Sequence, residues 1–266
     1  MKRSKVKKEA PVSVVMPTYN CEKHIYNTMY SIVSQTVKPS EIIVIDDCSN
    51  DNTVDVIKKF INEYDGEIEL CFIELSQNKG VANARNIGIH ESKYNYIAFV
   101  DSDDCWSIDK IEKQFYFMLK NNVDCSYTSY CIVNEDKKVI KKKINIPTSL
   151  DYEAALYGND IKTSTMMVKK SVLNELIFKN VKHEDYKFIL DLLKNNIKCE
   201  GINDVLMTYT KRKQSLSSSK IKSAIWTYKI LKNEKNISLG KRIKCFTTYI
   251  VKGIKKYYLW YYIWKD

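Results

Sequence analysis

The alternation of apolar runs with helical periodicities near the start of this chain limits its fold more than any other feature. Val12-Ser-Val-Val-Met16 is a short apolar run ended by Pro17, and Ile25, Met29, Ile32 and Val33 then recur at helical spacing. Glu41-Ile-Ile-Val-Ile45 repeats the pattern, with Val54, Ile57 and Ile61 marking the helix that follows. Ile68 to Leu75 and Tyr96 to Val100 read as two further strands, separated by a helix from Val81 to about Glu91. Strands that alternate with helices predict a mostly parallel sheet covered on both faces. The unusual polar loops Pro17–Asn20, Asp46–Ser49, Asn78–Gly80 and Asp101–Asp104 all follow the carboxyl ends of strands. Open sheets of this kind bind ligands at those ends, so the four loops are expected to converge on one crevice.

After a helix predicted over Ile108–Leu119, short strands are expected around Val123–Val133 and Val139–Ile146. Met166–Val168 reads as a buried strand, Tyr186–Leu193 as a helix and Val205–Tyr209 as a final strand, giving an α+β half on the same sheet. From Ile221 onward the pattern is helical. The reading is therefore an α/β domain over residues 1–217, with one half at about 11–106 and a second at about 107–217. A basic, aromatic helical tail follows over 218–266.

The formal net charge of +11 asks for an acidic partner, but charge alone does not choose among nucleic acid, anionic lipid and phosphorylated substrates. The excess is concentrated in the first nine residues, in Lys137–Lys143 and from Lys211 onward. The eight cysteines are scattered with no C-x-x-C pair, which predicts free thiols used as small core residues. The charged start carries no apolar run of signal-peptide or membrane-span length, so a cytoplasmic protein is expected.

Asp101-Ser102-Asp103 is the triplet most suggestive of chemistry. Two carboxylates one residue apart, on a loop leaving a buried strand, can bind a hard divalent cation and a ribose together. Such a cation would neutralise charge developing on a leaving diphosphate. Asp46-Asp47 ends another strand of the same inferred sheet, and four carboxylates in one crevice repel unless cations or donors compensate them.

Several segments resemble family 2 glycosyltransferases with the GT-A fold. They are Val14-Val-Met-Pro-Thr-Tyr-Asn20 with Ser31-Ile-Val-Ser-Gln-Thr36, Glu41-Ile-Ile-Val-Ile-Asp-Asp-Cys-Ser49, Gly80 with Ala84-Arg-Asn86, and Tyr96 through Trp106. The matches run in family order over roughly Pro11 to Gln114, with weaker similarity to about Ser217. The resemblance implies inverting transfer from a nucleotide-sugar, most often a UDP-sugar, with Mn²⁺ or Mg²⁺. It places Pro17, Thr18, Tyr19 and Asn20 in the loop beside the base, with Glu22 at the acidic position after it. Asp47 would bond the pyrimidine and Arg85 would lie near the donor. Asp101 would sit near the ribose, with Ser102 beside it, and Asp103 on the metal.

Inverting displacement also needs a base on the acceptor side. His183-Glu-Asp-Tyr186 resembles the family's acidic pair before an aromatic residue, so Asp185 is assigned as base, with Glu184 the alternative and His183 a neighbour. Tyr209-Thr-Lys-Arg-Lys-Gln-Ser-Leu-Ser217 resembles the segment that closes over the diphosphate, but Thr210 replaces the usual Arg and Arg212 the usual His. Arg212 is still expected to meet phosphate oxygens.

In the tail, Ile243, Phe246, Ile250, Ile254, Tyr257 and Tyr261 recur at helical spacing among Lys241, Arg242, Lys244, Lys252, Lys255 and Lys256. Aromatic rings and lysines suit an interfacial helix on an anionic leaflet, which predicts a peripheral position on the inner face of the cell membrane. The alternative is a helix packed on its own domain or on a dimer partner. A glycan or lipid-linked acceptor fits the membrane reading. Nucleic acid is not expected as a partner because no recognition motif is present, and an inactive nucleotide-sugar binder is the main competing function.

Overall fold

The structure, a computed structural model, describes residues 9–158, 161–211, 220–235 and 237–263, with only the backbone at 220 and 256–263. The strands are β1 (Glu9–Thr18), β2 (Lys38–Asp46), β3 (Glu69–Glu74), β4 (Tyr96–Phe99), β5 (Cys105–Trp106), β6 (Cys125–Val133), β7 (Val139–Ile144), β8 (Met167–Lys169) and β9 (Cys199–Thr210). The helices are α1 (Ile25–Val33), α2 (Thr53–Glu63), α3 (Val81–Glu91), α4 (Lys110–Asn121), α5 (Tyr152–Leu156), α6 (Glu184–Lys194), α7 (Lys220–Asn233) and α8 (Leu239–Ile263).

The strands form one sheet in the order β3-β2-β1-β4-β8-β6-β9-β5, with β7 pairing β6. β3, β2, β1 and β4 are parallel, as the helical crossovers between them require, while β8 runs antiparallel to both β4 and β6. Adjacent residues of the central strands face opposite sides. Val14 and Met16 of β1 join Ile42 and Val44 of β2 in one core layer, and Val15 joins Ile43 and Ile45 in the other. The first layer is closed by α1, α2 and α4, and the second by α3 and α6.

Several strand limits differ from the sequence reading, two of them near the site. β1 does not end at Pro17 but continues to Thr18, with Pro17 opposite Ile45. The Val15 carbonyl points toward the β4 side, where it accepts from the Val100 amide, so the imide nitrogen two residues on faces an edge that β4 has already left. β9 begins at Cys199 rather than Val205. All eight cysteines are free thiols, four of them buried.

The tail does not stand apart from the fold. Ile230 and Leu231 of α7, Ile237, and Cys245 of α8 belong to the same core layer as α3 and α6. The two tail helices also meet each other, with Tyr228 edge-on to Phe246 at 5.3 Å and the Arg242 Nε donating to the Leu231 carbonyl at 3.1 Å.

Candidate active site

The carboxyl ends of β1 and β2 are joined side chain to side chain. Thr18 Oγ1 donates to Asp46 at 2.9 Å, and Asp46 also accepts from the Ser49 amide and hydroxyl at 2.8 and 2.6 Å. Asn20 is left-handed at φ 47°, which an Asx side chain tolerates, and its Oδ1 accepts from the Asn50 amide at 2.8 Å. Glu22 accepts from the backbone and side-chain nitrogens of Asn52 at 3.0 and 2.8 Å. Tyr19 stands exposed between these anchors, 45% accessible and able to present its ring to a ligand. Pro17 and Thr18 are buried beneath it.

Asp47 is buried, and its two carboxylate oxygens accept from the amides of Lys79 and Gly80 at 2.8 and 2.7 Å. Gly80 adopts φ 90°, ψ 159°, a conformation open essentially to glycine alone, and so lets the chain turn into α3 with its amide on Asp47. Asp47 thus fixes the third loop of the crevice.

Arg85 joins the two halves of the domain. It lies one turn into α3, is 3% accessible, and donates to Asp101 Oδ1 at 2.7 Å and to Glu184 Oε1 at 2.9 Å. Its guanidinium also lies over the Phe178 ring, 5.0 Å from the centroid. Burial alone would lower its pKa, but the two carboxylates reverse that and hold it above the ordinary arginine value. Glu184 is pushed the other way: burial raises its pKa, Arg85 opposes this, and neighbouring Asp185 adds to the rise.

The Asp101–Asp104 loop is held from outside the triplet. Ser164 Oγ accepts from the Asp101 amide at 3.0 Å and donates to Asp104 Oδ2 at 2.6 Å, while the Ser164 carbonyl accepts from Trp106 Nε1 at 2.9 Å. The Ser102 carbonyl accepts from Thr28 Oγ1 at 2.9 Å. Asp104 is fully enclosed, its Oδ1 lacks a hydrogen-bond partner, and burial followed by repulsion from Asp103 and Asp101 raises its pKa. Asp103 is half-buried at the rim.

Among the described residues no group of three His, Cys, Asp or Glu side chains is arranged to hold a metal ion. Mg²⁺-type sites commonly use one or two carboxylates and complete their coordination with substrate phosphates and water. The oxygen-only donor set at Asp101 and Asp103, with Arg85 already bound to Asp101, fits that pattern.

Glu184 and Asp185 open α6, where acidic side chains complement the helix dipole. Asp185 Oδ1 accepts from the Tyr186 amide at 2.7 Å. Lys162, which sequence reasoning missed, brings its ammonium 4.8 Å from the Tyr209 ring centroid. Burial opposes its charge, but Tyr209, Tyr130, Asp185 and Asp104 raise its pKa. No periodicity or motif marks Lys162 or Ser164, because both reach the site only through the pairing of β4 with β8. Arg212 lies outside the described residues.

Residues 13–177 match the family profile described as glycosyl transferase family 2. An uncharacterised glycosyltransferase of Haemophilus influenzae is 35% identical over 247 residues, covering 92% of this chain and 97% of that protein. The UDP-Glc:alpha-D-GlcNAc-diphosphoundecaprenol beta-1,3-glucosyltransferase WfaP of Escherichia coli is 36% identical over 246 residues, covering 92% and 95%. Among solved structures, the mannosyltransferase PcManGT of Pyrobaculum calidifontis, in complex with GDP-Man and Mn²⁺, has a TM-score of 0.68 at 16% identity over 90% of this chain and 68% of that one. That likeness shows the shared GT-A fold.

Proposed function

This chain belongs to glycosyl transferase family 2 and is a glycosyltransferase, and we propose that it moves a hexose from a UDP-sugar to a hydroxyl of a lipid-linked glycan with inversion at the anomeric carbon. The observation that carries this reading is the Arg85 bridge. One guanidinium holds Asp101 of the D-x-D loop and Glu184 beside the candidate base, so donor-side and acceptor-side carboxylates belong to one site. The donor and acceptor named for the E. coli relative support these substrate classes.

In the proposed reaction Asp185 takes the proton of the acceptor hydroxyl as its oxygen forms a bond to the anomeric carbon. The bond from that carbon to the diphosphate oxygen breaks, and its electron pair leaves with the nucleotide. A single displacement from the face opposite the leaving group inverts the configuration. The loops carrying Thr18, Tyr19, Asn20 and Asp47 form the nucleotide pocket, with Glu22 and Pro17 fixing their path. Arg85 holds Asp101 in place for the ribose, with Ser102 beside it. Asp103 would hold Mn²⁺ or Mg²⁺, which when bound supplies positive charge against the departing diphosphate. Proposed domain limits remain 1–217 for the catalytic unit and 218–266 for the tail, which we place against the inner membrane surface.

The test is release of UDP from UDP-glucose and other UDP-sugars with a GlcNAc-diphospholipid acceptor. Asp185→Asn should lower kcat roughly a hundredfold, a typical loss for a general base, while donor KM changes little. EDTA and Asp103→Ala should each remove most turnover while leaving Tm unchanged. Full turnover by folded Asp185→Asn and Glu184→Gln proteins would exclude both carboxylates as the base.

A further inference from the structure

His183 is the residue immediately before α6, and its backbone is left-handed at φ 60°, ψ 44°. A residue with a Cβ occupies that region at a cost of roughly 1–3 kcal/mol and remains there only where surrounding structure compels it. Locally its carbonyl accepts from the Lys187 amide at 3.1 Å, but its side chain makes no cap to the helix. The contacts that hold it come from α7, more than forty residues later in the chain. Thr227 Oγ1 lies 3.3 Å from His183 Nδ1, and the Trp226 indole meets the imidazole edge-on at 5.4 Å. Thr227 itself is 2% accessible.

The same helix end is secured further along. Glu234, just past the end of α7, is 1% accessible and accepts from Tyr152 Oη and Lys187 Nζ, both at 2.7 Å. α7 and the residue after it therefore reach both the start and the flank of α6, Thr227 meeting His183 and Glu234 meeting Lys187 and, more distantly, Lys194. Covering the core does not require the contact at His183, since Ile230 and Leu231 supply that burial from another part of α7.

We propose that Thr227 and Trp226 are positioning residues for the transfer reaction: they hold His183 in the left-handed turn that aims Glu184 and Asp185 from the start of α6 into the site. This rests on the assignment of the acceptor-side acids above. A one-residue change of backbone region at His183 would redirect both side chains that follow, and Glu184 is the residue through which Arg85 couples them to Asp101. The tail thus acts on catalysis without touching substrate.

The experiment uses the full chain and whichever donor of a UDP- and GDP-sugar panel turns over fastest. Thr227→Val removes one hydroxyl at nearly constant volume and Trp226→Leu removes the indole. Each should lower kcat roughly threefold to tenfold, the range expected for one lost neutral hydrogen bond or one lost aromatic pair, with donor KM within twofold of wild type. Thr227→Ser should restore kcat. In a His183→Gly background, where the left-handed turn no longer needs an external hold, Thr227→Val should have no additional effect, a coupling that a double-mutant cycle reads. Leu231→Ala, which only loosens core packing, should lower Tm without this change in kcat.

The proposal is overturned if Thr227→Val and Trp226→Leu both retain wild-type kcat, or if their losses merely follow Tm as in Leu231→Ala. It also falls if Thr227→Val costs the same in the His183→Gly background. An inactive Asp185→Asn beside fully active Thr227→Val and Trp226→Leu proteins would remove this inference and leave the base assignment standing. Wild-type turnover by both Asp185→Asn and Glu184→Gln would remove the base assignment itself.

Discussion

A lysine with no solvent exposure must either pair its charge or give it up, and burial pushes Lys110 toward giving it up. It is fully enclosed, its Nζ donates to Gln114 Oε1 at 2.7 Å, and it sits 3.9 Å from the centroid of the Trp106 ring. Burial draws its pKa down to about 7. Between that value and the ordinary lysine range the unfolded chain binds a proton that the folded chain lacks, so stability rises with pH across this window, by at most about 1.4 kcal/mol per pH unit. Lys110→Met removes the titration, and the Tm of the wild type should gain steadily on that of the variant from about pH 7 to pH 10. A constant difference would mean that the ammonium stays charged inside the protein. Nothing in the sequence pattern identifies Lys110 as buried, since a lysine beginning an amphipathic helix ordinarily faces water. Asp101, Asp103 and Arg85 could be singled out from the sequence because they fall within motifs. Ser164 and Lys162 were not, because their meaning comes from which strand lies next to them.

The elements that carry the site were legible where their own residues specify them. α3 was read over Val81–Glu91 and is found there, because a glycine turn starts it and its burial follows its periodicity. The long β9 was read only from Val205. Its first half, Glu200-Gly-Ile-Asn-Asp204, lacks alternation, and the register against β6 slips between Thr128–Ile202 and Ser129–Val205. The slip leaves Asn203 to accept from Ser129 Oγ at 3.0 Å and Asp204 to pair with Lys113 at 2.8 Å, so the partner strand and α4 supply what the local sequence does not. α3 also packs tightly against the sheet. A Cβ at Gly88 would lie 2.4 Å from Val15 Cγ1 and 2.9 Å from Ile45 Cδ1, so only glycine lets the helix settle at this depth. Gly88→Val should cost about 1–3 kcal/mol as overpacking, read as a lower denaturation midpoint. Because Arg85 is one turn earlier on the same helix, donor KM should rise as well, whereas a substitution at exposed Lys59 of α2 should change neither.

At the scale of the whole molecule the tail has an inner face and an outer one. Its inner face is filled by the protein, through Leu231, Ile237 and Cys245. Several of the basic residues expected on lipid also turn inward: Lys241 pairs with Glu153, Arg242 bonds the Leu231 carbonyl, and Lys252 bonds the Tyr157 carbonyl at 3.1 Å. No helix among the described residues is long and apolar enough to cross a membrane. What remains for a membrane is the outer line of α8, where Ile243, Val251 and Ile254 are each at least half accessible, at 54%, 50% and 52%. These positions fall within one side of a helix, and on the peripheral reading they enter the interfacial layer while nearby lysines meet anionic headgroups. Substituting all three with serine removes apolar surface that the fold does not use, so Tm should hold and only vesicle binding should fall. The measurement is co-sedimentation with phosphatidylcholine vesicles, with and without phosphatidylglycerol. With a Debye length of about 8 Å at physiological salt, added salt should weaken the lysine contribution and leave part of the binding, while the triple substitution should remove the salt-resistant part. If the wild-type chain fails to bind phosphatidylglycerol vesicles at low salt, the outer line of α8 has some other partner. In that case its three aliphatic side chains would instead predict a concentration-dependent dimer, which the same serine variant would dissociate.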